Sequence, residues 1–170
     1  MINEWLCKTI IGLDLCPFTR KPFLDGKILI EELAGSNSPE MQKNFLNSLS
    51  FFQAQTKFET ALLVYPLWVI SFKNFYEFTE DCEEHLLTLN LEEEFQLVAF
   101  HPKFCFEGLQ YSDRANLVNS SPLPLIHILR TLDLDLINLS VDEAESMSRG
   151  NANKLELLSD AQLMEHFPWR

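Results

Sequence analysis

Between Phe100 and Arg130 the chain gathers most of its chemically versatile side chains: His101, Asp113, Arg114, Asn116, Asn119, Ser121, His127 and Arg130. An imidazole serves as general acid or base, as metal ligand or as anion donor. An arginine holds a carboxylate or phosphate with a planar fork of donors. Loops anchored on rigid elements are a common place for such groups. Together these residues point to acid–base chemistry on a small anion. His101 would be the acid or base, Asp113 an orienter and Arg130 the anion anchor. Arg114, Asn116, Asn119, Ser121 and His127 would complete the ligand shell.

Each residue also has a structural alternative. His101 can cap a strand by bonding nearby backbone. Arg130 can tie down the loop through Asp113. Asp113, Asn116 and Asn119 are typical turn residues. Asn119-Ser120-Ser121 can present N–H groups to an anion or simply cap a helix. Cys16 is the candidate nucleophile, with Arg20 and Lys21 close in sequence. A helix C-terminus, however, raises a thiol's pKa, and a lone Cys in apolar surroundings usually behaves as a small hydrophobe. If Cys16 is the nucleophile, it should react faster with iodoacetamide than Cys7 or Cys82.

The elements that would position these groups follow from periodicity. Residues 3–13 read as a helix capped by Asn3, with Trp5, Leu6, Ile10 and Leu13 as its apolar stripe and Cys16-Pro17-Phe18 as its stop. Lys27–Leu33, Thr60–Tyr65 and Phe95–Phe100 read as strands. Ser38-Pro39 opens a second helix with Met41, Phe45, Leu49 and Phe52 inward. Ser71 caps a third, with Phe72, Phe75, Cys82 and Leu86 inward and Ile70 and Phe75 at staple positions. Ser121-Pro122 signals a fourth, which would carry His127 and Arg130, three apart, on one face. From about Val141 two further helical pieces follow, parted at Arg149-Gly150-Asn151.

This alternation predicts an α/β fold over residues 1–170, a single compact domain with a small, mostly parallel sheet of about three strands covered by helices. A ferredoxin-like α+β sheet is the alternative. In open parallel sheets ligands bind beyond the carboxyl ends of the strands. His101 and Tyr65-Pro66 would share that rim.

Composition narrows the partners. The apolar fraction of 46% and the 14 Phe are those of a folded globular chain. Net charge is −12, and between Asn74 and Pro102 eight carboxylates stand without a Lys or Arg. Such a surface repels nucleic acid and anionic lipid, so neither is an expected partner. No apolar run approaches the roughly 20 residues that cross a bilayer, and no basic-then-apolar leader opens the sequence. The four Cys are widely spaced and suggest reduced thiols in the cytoplasm. The sequence contains no Gly-rich phosphate loop, Gly-x-Ser-x-Gly elbow or His-Glu-x-x-His. No metal and no cofactor are expected.

Leu15-Cys16-Pro17-Phe18, Ala99-Phe100-His101-Pro102, Asp113 with Asn116 and Asn119, Ser121-Pro122-Leu123-Pro124, His127-Ile128-Leu129-Arg130 and Asn151-Ala152-Asn153-Lys154-Leu155 occur in that order. Taken together, they resemble the domain-of-unknown-function family 1415, found mainly in bacteria. The family usually has Arg where this chain has Ser120, and Glu where it has Thr131. If that Arg and Glu act in the family, this member's activity is altered. If they form a structural ion pair, their joint absence is harmless. The resemblance supports the candidate positions and implies no reaction.

Three readings follow. The first is a cytoplasmic enzyme, a hydrolase or transferase acting on a small anionic metabolite. The second is a non-catalytic domain binding a ligand or partner. The third is a set of polar residues that stitch a long loop to the core. A pocket joining His101 to Cys16 would favour the first, a pocket without a nucleophile the second, and charges satisfied without a pocket the third.

Overall fold

The computed structural model describes residues 1–16, 19–35, 37–67, 71–131 and 141–170, with main chain only for 141–148. Helix α1 (Ile2–Trp5) runs without a break into a π-helical segment (Leu6–Ile11), and Asp14 closes it with a left-handed backbone. Next come α2 (Arg20–Leu24), β1 (Ile28–Glu32), α3 (Ser38–Ala54), β2 (Thr60–Val64), α4 (Phe72–Leu89) and β3 (Phe95–Phe100). A 3-10 helix (Arg114–Asn119), β4 (Leu125–Arg130), α5 (Val141–Glu156) and α6 (Asp160–His166) complete the order.

The second and third expected helices form, the second starting one residue before the position that Ser38-Pro39 implies. The Asn37 side chain accepts from Glu40 N–H, with Pro39 in the first turn, and the Ser71 hydroxyl accepts from Asn74 N–H. In α3, Met41, Phe45, Leu49 and Phe52 are buried as expected, while in α4 Phe78 and Thr79 join Phe75, Cys82 and Leu86, and Phe72 is only half-buried. The expected staple partner Ile70 and the Pro17-Phe18 stop lie outside the described residues.

The sheet differs from expectation. It has four strands in the order β1-β2-β4-β3. β1 and β2 pair in parallel, but β4 is antiparallel to both of its neighbours. The mostly parallel three-strand sheet is therefore replaced by a mixed, mostly antiparallel one. β1, β2 and β3 do point the same way, but β4 separates β3 from β2. Nor is the sheet ferredoxin-like, since both of its last two strands follow α4.

β4 occupies the stretch expected to be the fourth helix. Leu125, Ile126 and Ile128 are fully buried. A central strand covered on both faces reads as a continuous apolar run, which periodicity alone does not separate from a buried helix. The expected break at Arg149-Gly150-Asn151 is likewise absent. α5 continues through it and stops before Ser159, which builds a capping box with Gln162 for α6.

Helices cover both faces. On one, α3 and α4 pack Phe45, Phe52, Phe75 and Phe78 against Ala61, Leu63, Leu97, Ala99, Ile126 and Ile128. Fully burying one such Phe contributes roughly 1.5–3 kcal/mol. On the other, Trp5, Leu6, Ile10, Leu117, Leu155 and Phe167 cover Leu62, Val64 and Leu125. No helix among the described residues is long and apolar enough to cross a membrane.

Candidate functional site

His101 follows β3 at the carboxyl rim, as the sequence implies, and its side chain is fully buried. Nδ1 accepts a hydrogen bond from Lys103 N–H at 2.9 Å. That bond leaves the ring proton on Nε2, which is buried and has no hydrogen-bond partner. Phe72 and Phe75 flank the ring, each with its centroid 5.6 Å away. Burial, assisted by Lys103, pushes its pKa down to about 4, so the imidazole is neutral at physiological pH.

The other sequence candidates do not converge on it. Asp113 caps the 3-10 helix by accepting from Ala115 N–H at 3.0 Å. Asn116, fully buried, accepts from Phe106 N–H at 2.9 Å and donates to the Gln110 carbonyl at 2.8 Å and the Tyr111 carbonyl at 3.4 Å. It stitches the loop after His101 at several points. Asn119 lies along β3, where its carbonyl accepts from His101 N–H and its amide donates to the Ala99 carbonyl, both at 3.2 Å. The Ser121 hydroxyl donates to the Leu123 carbonyl at 2.6 Å. Arg114 donates to the Glu156 and Leu158 carbonyls at 3.0 and 2.6 Å and pairs with Asp160 at 3.0 Å, fixing the end of α5.

His127 and Arg130 do not share a face, because β4 is a strand. His127 stands 2.6 Å from the Thr60 hydroxyl, which donates its own proton to the Ile128 carbonyl at 2.7 Å. The His127 Nε2–H must therefore be the donor. Burial pushes this imidazole down to about 4 as well. Its ring lies near Phe100, on the sheet face opposite the Phe72 and Phe75 that hold His101. Arg130 pairs in register with Phe95, at the other end of β3 from His101. It donates to the Phe52 carbonyl at 2.7 Å and to the Phe58 and Gln55 carbonyls at 3.4 Å, and it sits over the Phe52 ring at 4.3 Å. It caps the C-terminus of α3, adding a charged donor to the Phe52 and Gln55 carbonyls, which also accept from Gln55 and Phe58 N–H.

Cys16 is half-buried and packs against the second cluster, with Leu13 and Phe23, whereas His101 packs against Phe75 of the first. All four cysteines are free. Cys7 is exposed, while Cys82 is fully buried with its thiol pushed well above the ordinary range. The iodoacetamide order expected from sequence is therefore corrected. Cys7 should label first, Cys16 more slowly and Cys82 only on unfolding, as mass spectrometry of a time course would show.

Two terminal residues that sequence reasoning passed over also serve the loop. Arg170 donates to the Phe104 carbonyl at 3.0 Å and the Tyr111 carbonyl at 2.9 Å and lies 4.1 Å from the Tyr111 ring centre. Trp169 donates from its indole to the Ser120 hydroxyl at 2.9 Å. Among the described residues no three His, Cys, Asp or Glu side chains cluster as a metal site would need.

A family model described as a protein of unknown function, DUF1415, matches residues 1–165. The chain belongs to this family. No curated protein and no solved structure matches the chain. In this DUF1415 member, two segments that carry the resemblance meet in space, as Asn151 donates to the Leu15 carbonyl at 2.6 Å. Ser120 is fully buried against Trp169, and the Thr131 hydroxyl donates to the Glu93 carbonyl.

The density of buried bonds at Asn116 gives a direct test. Changing Asn116 to Ala should destabilise the fold by about 1–3 kcal/mol, because Phe106 N–H would lose its acceptor, while the Gln110 carbonyl keeps its bond from Asp113 N–H. Urea denaturation of parent and variant measures the difference. A loss below about 1 kcal/mol would mean that water replaces the amide.

Proposed function

We propose that this DUF1415 member is a non-catalytic domain that binds a partner, and that the polar series from Asp113 to Arg130 is its internal scaffold. The observation that carries this reading is how the candidate anion ligands are used. Arg114, Asn116, Asn119, Ser121 and Arg130 all spend side-chain donors on the chain's own carbonyls. Binding an anion at any of them would break a hydrogen bond already formed to a carbonyl, at a cost comparable to what the new bond would contribute. The four free thiols fit a reducing compartment, and we place the protein in the cytoplasm.

The test is thermal. Phosphate, sulfate or a dicarboxylate should leave the melting temperature unchanged, and replacing Arg130 with Lys should lower it with or without the anion. A ligand at about 100 times its dissociation constant would add roughly 2.7 kcal/mol. An anion-induced shift of several degrees that Arg130→Lys abolishes would return the anionic-metabolite enzyme to first place.

One observation favours that enzymatic reading. His101 keeps a neutral, unpartnered Nε2 at the carboxyl end of β3. Under it, a small acidic ligand would perturb the His101 ring signals in NMR and leave those of His127 unmoved.

A further inference from the structure

We propose that the outer edge of β3 is a docking strip for an extended, lysine- or arginine-bearing segment of a partner polypeptide. The inference rests on the partner-binding reading and names the chemistry of the partner. Among the described residues β3 is the last strand of the sheet, so one side of its main chain faces away from β4. Which residues face out is fixed by bonds already formed there. Phe95 N–H is taken by the Leu91 carbonyl, and Asn119 takes the Ala99 carbonyl and His101 N–H. In a strand the N–H and C=O of one residue point the same way, and residues alternate. Leu97 therefore presents both of its main-chain groups outward, and Ala99 its N–H.

A cleft of about 180 Å³ lies at this stretch, lined by Leu97, Val98 and Ala99 together with Tyr76, Glu80 and Glu83 of α4. Consecutive strand residues point their side chains to opposite faces. Only the strand's edge presents all three to one cleft. Tyr76 is 46% exposed, a flat apolar wall beside the strand. The ends of the edge are blunted by the Leu91 turn and by Asn119, whereas no main-chain bond among the described residues takes its middle.

Charge selects the occupant. Partial burial and the neighbouring Glu80 raise the Glu83 carboxyl. A cation placed between the two would relieve that repulsion. No Lys or Arg occurs between Asn74 and Pro102 to do so from within this stretch. A strand added to β3 would pair with Leu97 through both main-chain groups, as in β-augmentation. Its side chain opposite Leu97 would share the α4 face, where Glu80 and Glu83 stand, so a basic residue belongs there and at alternate positions. A second copy of this chain is disfavoured, since it would bring a like-charged edge.

The test uses the full chain and a fluorescent, end-blocked peptide of alternating lysine and valine. The peptide should bind in fluorescence anisotropy, and amide shifts in NMR should centre on Leu97, Val98 and Ala99. Glu80→Gln with Glu83→Gln, both on the surface, should weaken binding by about tenfold, the equivalent of two partly exposed ion pairs. N-methylating the peptide's main chain should abolish it, because the charge is kept while the ladder bonds are lost. Full binding by the N-methylated peptide would reduce the effect to ion exchange on α4 and overturn the proposal. So would an absence of binding, or a dimer of this chain joined through β3 in sedimentation. Failure of the partner-binding reading itself would show separately, as the anion-induced melting shift lost in Arg130→Lys.

Discussion

Replacing Arg130 with Ala is expected to cost about 3–4 kcal/mol, a large fraction of the stability of a domain of this size. The side chain is only 17% exposed. Its guanidinium reaches the Phe52, Phe58 and Gln55 carbonyls and lies over the Phe52 and Phe95 rings, 4.3 and 5.4 Å from their centres. Hydrogen bonds to a charged donor contribute about 1.5–3 kcal/mol each, and the Phe52 and Gln55 carbonyls end a helix whose dipole favours a cation. The Glu94 pair, at 3.6 Å with the carboxylate 36% exposed, adds little. Arg130→Lys should recover part of the loss, since an ammonium keeps the charge but neither the fork nor the planar stack. Guanidinium denaturation at constant slope is the measurement. Equal stability of parent and alanine variant would mean that main-chain N–H groups and water suffice for the α3 carbonyls.

Stability should fall steeply as pH drops from about 6.5 toward 4, before most exposed carboxylates titrate. The unfolded chain's histidines protonate near 6.5, whereas those of His101 and His127 in the fold are pushed down to about 4. Through that window the unfolded state binds more protons, so stability rises with pH and is fully present above 6.5. Fully buried His101 contributes up to about 3 kcal/mol to the change. Half-buried His127 contributes less. Gln at position 101 can still accept from Lys103 N–H but does not titrate. It should therefore flatten the profile between pH 6.5 and 4 while costing only modestly at neutrality. A variant profile parallel to the parent's would show that His101 is already charged in the folded protein.

How far the sequence foretold this differs from element to element. β1, α3, β2, α4 and β3 were legible because each carries a cap, a turn or a one-sided stripe. β4 was not, because Ser121-Pro122 imitates a helix start and Leu125–Ile128 is buried on both faces. That one element reverses two inferences. It turns a mostly parallel sheet into a mixed one, and it sends His127 and Arg130 to opposite faces. The candidate site was legible as a set of positions and not as a role. Asn, Asp and Arg offer the same donors and acceptors to a ligand as to a neighbouring carbonyl. Only the fold reveals that Asn116 meets Phe106 and Gln110, and that Arg130 meets the end of α3.

The insertion of β4 between β2 and β3 also sets the order in which the chain can acquire its structure. During synthesis, β1, α3 and β2 can close as a parallel unit once Val64 has emerged. β3 cannot join them, because its only neighbour in the sheet among the described residues is β4, the strand made last. A nascent chain that has not reached Leu125 carries two unpaired apolar strands, Thr60–Val64 on one side and Phe95–Phe100 on both. Open edges of that kind template misassociation. Translation slowing before residue 125, or scarcity of a chaperone that shields strands, would therefore harm this protein more than one whose sheet grows outward in sequence order.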